Sequence, residues 1–171
     1  MRWKDGIVLI GMAGAGKSTI GSALAKTLGF SFTDLDQYIR EKDGKTIQDI
    51  INSSGEEALL QAEKQSMYEI DMNRRVIAPG GSIIYHPDLM EYLKHKSVLI
   101  YLDDTFENIE GKLKNAPTRG IVGLKSKSLR EIYDERRPLY SKYAHIIVDL
   151  EGKSQEQVIS EIINRYLELM I

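Results

Sequence analysis

The sequence predicts an α/β fold built around a parallel sheet, and three observations carry that expectation. Short β-rich runs alternate with helical patterns along the whole chain. Most of those runs are near-continuously apolar, the pattern of strands covered on both faces rather than half exposed. A glycine-rich stretch, GMAGAGKSTIG at 11–21, sits where the first apolar run gives way to a helical pattern.

Taken in order, GIVLIG (6–11) reads as the first strand, and a helix is expected over about 17–28. FSFTD (30–34) is the second strand, followed by helical stretches at about 35–43, 46–53 and 56–73. RVIAPG (75–80) is the third, with a helix at about 87–95. SVLIYLD (97–103) is the fourth, with helices at about 105–115 and 127–141. HIIVDL (145–150) is the fifth, and a helix over about 154–169 closes the chain. In that last helix Val158, Ile162, Tyr166 and Leu169 form one stripe, expected to pack on the sheet. Such alternation implies right-handed crossovers and a sheet layered between helices. The long connections follow the second and fourth strands, and insertions at strand ends are where α/β sites are built. NAPTRGIVGLKSKS (115–128) is the one long loop-like stretch, broken by Pro117, Gly120 and Gly123. EKDGKTIQDIINSSGEE (41–57) reads as charged, mobile helix ends of the kind that close over a substrate.

The 171 residues suit one domain, and 42% hydrophobic with 28% charged residues is ordinary for a globular chain. A net charge of −2 supplies no basic field for nucleic acid or an anionic membrane. Nine dispersed tyrosines suggest no stacking platform for bases. The absence of cysteine excludes disulfides, thiolate metal sites and cysteine nucleophiles. His86, His95 and His145 are scattered without ligand spacing, and are expected to be surface or satisfied core residues. No apolar run approaches the roughly 18 residues of a membrane span, so a cytoplasmic location is expected; a monomer is expected as well.

Gly11, Gly16, Lys17 and Ser18 complete G-x-x-x-x-G-K-[ST] after a strand and at the start of a helix, the setting that phosphate loop requires. The glycines let the backbone curl with its N–H groups inward, and the helix adds partial positive charge. Met12, Ala13, Gly14, Ala15, Gly16 and Thr19 would supply the cradle. Lys17 would reach the β- and γ-phosphates, and Ser18 would offer its hydroxyl to Mg²⁺. The loop therefore predicts a nucleoside triphosphate with Mg²⁺. No N-K-x-D stretch is present to read guanine, and the chain is small for a motor. Transfer to a small molecule is the expected use. Asp34 and Asp36 lie two apart at the end of the second strand, a spacing that puts both on one face. One of them can equally cap the helix that follows.

From end to end the chain resembles the shikimate kinases, P-loop enzymes of the nucleoside-monophosphate-kinase type. IVLIGMAGAGKSTIGSALAKTLGFSFTDLDQYI, SSGEEALLQAE, VIAPGGS, APTRGIV and DERRPLYSKYA occur in that family's order and near its spacing. The resemblance implies that Asp34 helps hold Mg²⁺, and that Asp36 binds substrate hydroxyls and takes the proton of the attacking one. It implies backbone contact with substrate at Gly80 and Gly81. Arg119 falls at the lid arginine, suited to stabilising transition-state charge. Arg136 falls at an arginine that binds the substrate carboxylate; its neighbour Arg137 should point about 100° away on the helix. Arg136 is the expected ligand, although either could form a surface ion pair with Glu131 or Glu135. Plainer readings stay open: Gly80 and Gly81 as a strand-to-helix turn, and Lys112 as a solvated helix charge.

Three departures stand out. Ser82 replaces the family's third glycine. Lys112 stands where an arginine packs on adenine, and lysine lacks that planar surface. Leu60 stands where an arginine grips the carboxylate, and residues 53–73 contain no arginine at all. Losing one of two such partners should weaken shikimate binding by roughly two to four powers of ten. Either Arg136 with Lys64 or Arg75 compensates, or the acceptor is another small hydroxylated compound, or the register slips locally.

The expectation is thus an α/β, three-layer P-loop NTPase domain over 1–171: a central five-stranded parallel sheet, a substrate-binding helical cap at about 35–62 and an ATP lid at about 115–126. Lys17, Asp36 and Arg119 are the expected catalytic residues, and Lys112 and Arg119 join the loop residues 12–19 around the nucleotide. Asp36, Gly80, Gly81 and Arg136 would bind substrate, and Ser18 and Asp34 would serve the metal. The expected reaction is phosphoryl transfer from ATP to a hydroxyl of a small metabolite, with shikimate and its 3-phosphate first. A kinase of another hydroxylated metabolite and a catalytically silent nucleotide-binding protein are the rivals.

Overall fold

The computed structural model describes residue 4, residues 6–115 and residues 120–171. Strand β1 (Gly6–Ile10) is buried along its whole length, as its uninterrupted apolar sequence requires. It lies at the centre of a five-stranded parallel sheet of order β2-β3-β1-β4-β5, with β2 at Ser31–Asp34, β3 at Arg75–Ala78, β4 at Ser97–Asp103 and β5 at Ile146–Asp149. Val8 is paired with Ile77 on one side and Leu99 on the other, so the most apolar strands share the middle. The edge strand β5 alternates buried and exposed residues instead.

Helices α1 (Lys17–Leu28) and α7 (Gln155–Leu169) pack together with the sheet, as do α4 (Pro87–Lys96) and α6 (Leu129–Tyr143). Val158, Ile162 and Tyr166 are buried as expected, but Leu169 is half exposed because the stripe outruns the sheet. Two helices, α2 (Leu35–Asp43) and α3 (Ile47–Glu69), fill the connection after β2, and α5 (Phe106–Lys114) follows β4.

The helical stretches expected at 46–53 and 56–73 are present as two helices that meet at a kink within α3, the second ending at Glu69. Gly55 joins them at φ 85°, ψ 172°, outside helical geometry. The segment read as mobile helix ends is well formed: Gly44 closes α2 in the left-handed conformation, and Thr46 with Asp49 makes a reciprocal cap for α3. A 3₁₀ turn at Gly81–Tyr85, which no sequence pattern announced, carries the chain from β3 into α4. Pro138 lies inside α6 without ending it.

His145 is a satisfied histidine, its Nδ1 accepting the Leu99 N–H at 3.0 Å. Burial beside Lys4 and Lys94 lowers its pKa to about 4. His86 departs from expectation: its buried Nε2 has no hydrogen-bond partner among the described residues. No helix is long and apolar enough to cross a membrane among the described residues.

The strand order decides where a ligand can sit. The connection leaving β1 runs toward the β2 side, while that leaving β4 runs to β5. Neighbouring chain exits therefore part at the carboxyl ends of the strands, and an open crevice forms there.

Candidate active site

At that crevice lies a cavity of about 760 Å³, lined from the β1–α1 loop, the ends of β2 and β3, α3, α5 and α6. One wall is the glycine-rich loop. Gly14 (φ 84°) and Gly16 (φ 88°) hold left-handed backbone that a side chain would strain. Lys17 opens α1 and is buried; its Nζ donates to the carbonyls of Gly11 (2.7 Å) and Met12 (2.8 Å). Ala13, Gly14, Gly16, Lys17, Ser18 and Thr19 line the cavity. Met12 and Ala15, expected in the cradle, are buried and do not line the cavity.

Opposite the start of α1, Asp34 ends β2 and caps α2, accepting the Gln37 N–H at 3.1 Å with Oδ1. Its Oδ2 accepts the hydroxyl hydrogen bond of Ser18. Asp36 lies in the first turn of α2 rather than on the strand, since β2 stops at Asp34. Both aspartates still face the cavity. The pairing of a serine hydroxyl with one carboxylate fits Mg²⁺, which keeps most of its water and takes few protein oxygens beside phosphate. Among the described residues no group of three or more acidic or histidine side chains offers a complete metal cage.

The floor is made by the turn after β3. Gly80 and Gly81 have ordinary backbone angles; what they supply is room. A Cβ on Gly80 would lie 2.5 Å from Oε1 of Glu63, and one on Gly81 would lie 3.0 Å from Nη1 of Arg136. Tyr140 anchors the turn by donating to the Gly81 carbonyl at 2.6 Å.

Arg136 and Arg137 separate as expected of adjacent helical positions. Arg136 is 1% exposed and lines the cavity. Its Nε donates to the Tyr85 hydroxyl (3.3 Å) and its Nη2 to the Val122 carbonyl (2.7 Å). Among the described residues no carboxylate lies within ion-pair distance of it. Arg137 instead forks onto Asp103. Neither reaches Glu131 or Glu135: Glu131 caps α6, and Glu135 takes Lys127 and the Tyr85 hydroxyl.

Lys112 lines the cavity, but its ammonium pairs with buried Asp104 at 3.2 Å, so it is not simply a solvated charge. Arg119 lies outside the described residues. Beyond it, Gly120, Ile121 and Val122 close one side of the cavity, and the Gly123 N–H donates to Glu56 at 3.1 Å. Leu60 is half buried and does not line the cavity; nor do Lys64 and Arg75. Arg75 is occupied by the Asp71 carbonyl and the Thr33 hydroxyl.

Glu63 is the residue that sequence reasoning missed. It is 2% exposed, lines the cavity, and its Oε2 accepts the Ser82 hydroxyl at 2.8 Å. Burial pushes its carboxyl up to about 7; the Ser82 hydrogen bond opposes that push, Asp36 adds to it, and Arg136 and Lys17 oppose it. A signal was present. Leu59, Glu63, Met67 and Ile70 follow helical spacing, so the glutamate falls within a buried stripe.

A parallel sheet with a phosphate loop after its central strand, a Ser–Asp pair beside that loop and an acceptor cavity adjoining it define a small-molecule kinase of the P-loop class. Residues 13–167 match the family described as shikimate kinase. The chain is 33% identical to the shikimate kinase of Persephonella marina over 160 residues, covering 93% of this chain and 97% of that one. It is 32% identical to the shikimate kinase of Enterococcus faecalis, covering 96% and 99%. Its structure is similar to that of Acinetobacter baumannii shikimate kinase in complex with shikimate, with a TM-score of 0.86, 30% identity, and 98% and 95% of the two chains covered. The chain belongs to the shikimate kinase family.

Proposed function

We propose that this chain transfers the γ-phosphoryl group of ATP to a hydroxyl of shikimate, giving shikimate 3-phosphate, a step toward aromatic amino acids, as a cytoplasmic monomer. One observation supports this most: a single cavity joins the phosphate loop to Asp36 and to a buried guanidinium, Arg136, that has no carboxylate partner among the described residues. An unpaired buried cation costs several kcal/mol, of order 3–5, and an anionic ligand removes that cost.

The roles follow from position. Backbone N–H groups of residues 12–19 and the N-terminus of α1 hold the phosphates. Lys17 leaves its loop carbonyls for the β- and γ-oxygens. Ser18 and Asp34 hold Mg²⁺, whose contribution is to neutralise phosphate charge. Arg136 orients the acceptor through its carboxylate, and Gly80 and Gly81 let the ring approach the backbone. Asp36 aligns the hydroxyl and accepts its proton as the new oxygen–phosphorus bond forms and the β–γ bridge breaks, releasing ADP. Residues 35–62 act as the substrate cap and 115–126 as the lid, with Arg119 completing the charge clamp and Lys112 lying beside the adenine. Positioning and electrostatics carry most of the rate.

The test is ADP release with ATP, Mg²⁺ and shikimate, with the product identified by phosphorus NMR. Turnover is expected, and its loss in Lys17→Ala. A second acceptor is favoured by one specific feature, the lack of any arginine on α3, with Leu60 at the position the family gives to one. Turnover with another alcohol and none with shikimate would establish that reading. Tight ATP binding without turnover on any alcohol would leave a nucleotide-binding protein.

A further inference from the structure

Glu63 is a buried carboxyl in the acceptor cavity that the transfer step does not use. Among the described residues its hydrogen bond comes from a neutral donor, the Ser82 hydroxyl on Oε2. No lysine, arginine or histidine nitrogen lies within ion-pair distance of it among the described residues. Three residues back, on the neighbouring part of the same helix face, stands Leu60, which brings no charge. The charged groups facing it come from other elements: Asp36 from α2, Arg136 from α6 and Lys17 from α1. Ser82, from the 3₁₀ turn, is uncharged.

A carboxylate arriving at Arg136 would enter the cavity that Glu63 also lines, where Oε1 of Glu63 and Nη1 of Arg136 flank the adjacent Gly80 and Gly81. Two carboxylates served by one buried guanidinium repel each other, and the cheapest relief is a proton. Resting on the shikimate reading above, we infer that Glu63 is a proton-linked specificity determinant: the acceptor's carboxylate binds at Arg136 while Glu63 is neutral, and is rejected when Glu63 is ionised. With Ser82 donating to Oε2, Oε1 is left to carry the proton and face the floor at Gly80. Binding above the carboxyl's midpoint takes one proton from solvent, and release returns it; no other bond changes. The buried carboxyl titrates at about 7, so it is neutral below that pH and ionised above it. Acceptor affinity therefore falls as pH rises through neutrality.

The experiment measures KM and kcat for shikimate from about pH 6 to about pH 9 in the native chain, Glu63→Gln and Leu60→Arg. Calorimetric titration with shikimate, in two buffers of different protonation enthalpy, accompanies it. In the native chain KM should climb toward tenfold per pH unit above about 7, with about one proton taken up per shikimate bound. Glu63→Gln should flatten the KM profile and abolish the uptake. Leu60→Arg, which sets a cation beside Glu63, should lower KM most at high pH. The same KM slope in Glu63→Gln as in the native chain, or no proton uptake, overturns the proposal while leaving shikimate as the acceptor. No shikimate binding or turnover even at about pH 6 overturns the acceptor assignment, and this proposal with it.

Discussion

Adjacent arginines on α6 meet different surroundings. Arg136 is buried under the Val122 carbonyl and the Tyr85 hydroxyl, while the side chain of Arg137 is 53% exposed against Asp103. A hydrogen bond to a charged group is worth about 1.5–3 kcal/mol, and an exposed ion pair well under 1. Arg136→Ala should therefore raise the KM for shikimate by about ten- to a hundredfold. Arg137→Ala should change it by no more than about threefold. Equal effects of the two, measured at saturating ATP, would remove Arg136 from the acceptor site. Sequence spacing had already separated the two side chains by 100°, but which one faced inward depended on how α6 lies against β4. Position 63 was harder still. A lone glutamate inside an apolar stripe looks like a flaw in the pattern until Ser82, from a turn nineteen residues away, is seen to donate to it.

At the scale of elements, α3 depends on one residue. Gly55 sits at φ 85° in open space, so a substitution there adds backbone strain and no clash. Gly55→Ala should cost about 1–3 kcal/mol, read as a lower urea midpoint with an unchanged slope. No loss would mean that the bend is not imposed by the backbone. The bend lies near Glu56, whose carboxylate accepts the Gly123 N–H and so ties α3 to the segment beyond Arg119. Two helices were expected here, broken near the Ser-Ser-Gly run, and the break is where the kink falls. The 3₁₀ turn after β3 was not legible in the sequence. The Gly80–Gly81 pair marks where the strand ends, but only the packing of the turn against α3 and α6 decides the 3₁₀ form of Gly81–Tyr85.

For the whole molecule, the cavity is assembled from segments spread between residues 13 and 136, so filling it should stabilise the entire fold. With Mg²⁺ and a non-hydrolysable ATP analogue at about 100 times Kd, stability should rise by about 2.7 kcal/mol, roughly 5–10 °C in Tm for a chain of this size. Lys17→Ala should lose most of that shift. A full shift in the variant would mean that the nucleotide is held elsewhere. Residues 11–18 determined the glycine-rich loop and the start of α1 without help from the fold, because glycine backbone freedom, a helix start and a lysine act within eight positions. Strand identity and the parallel alternation were likewise written in runs of apolar residues. The order of those strands, the side of α6 that faces the cavity and the meeting of Glu63 with Ser82 were decided only by tertiary structure. Each joins residues far apart in the chain, and a pattern confined to neighbours carries no record of which distant groups will share a desolvated space.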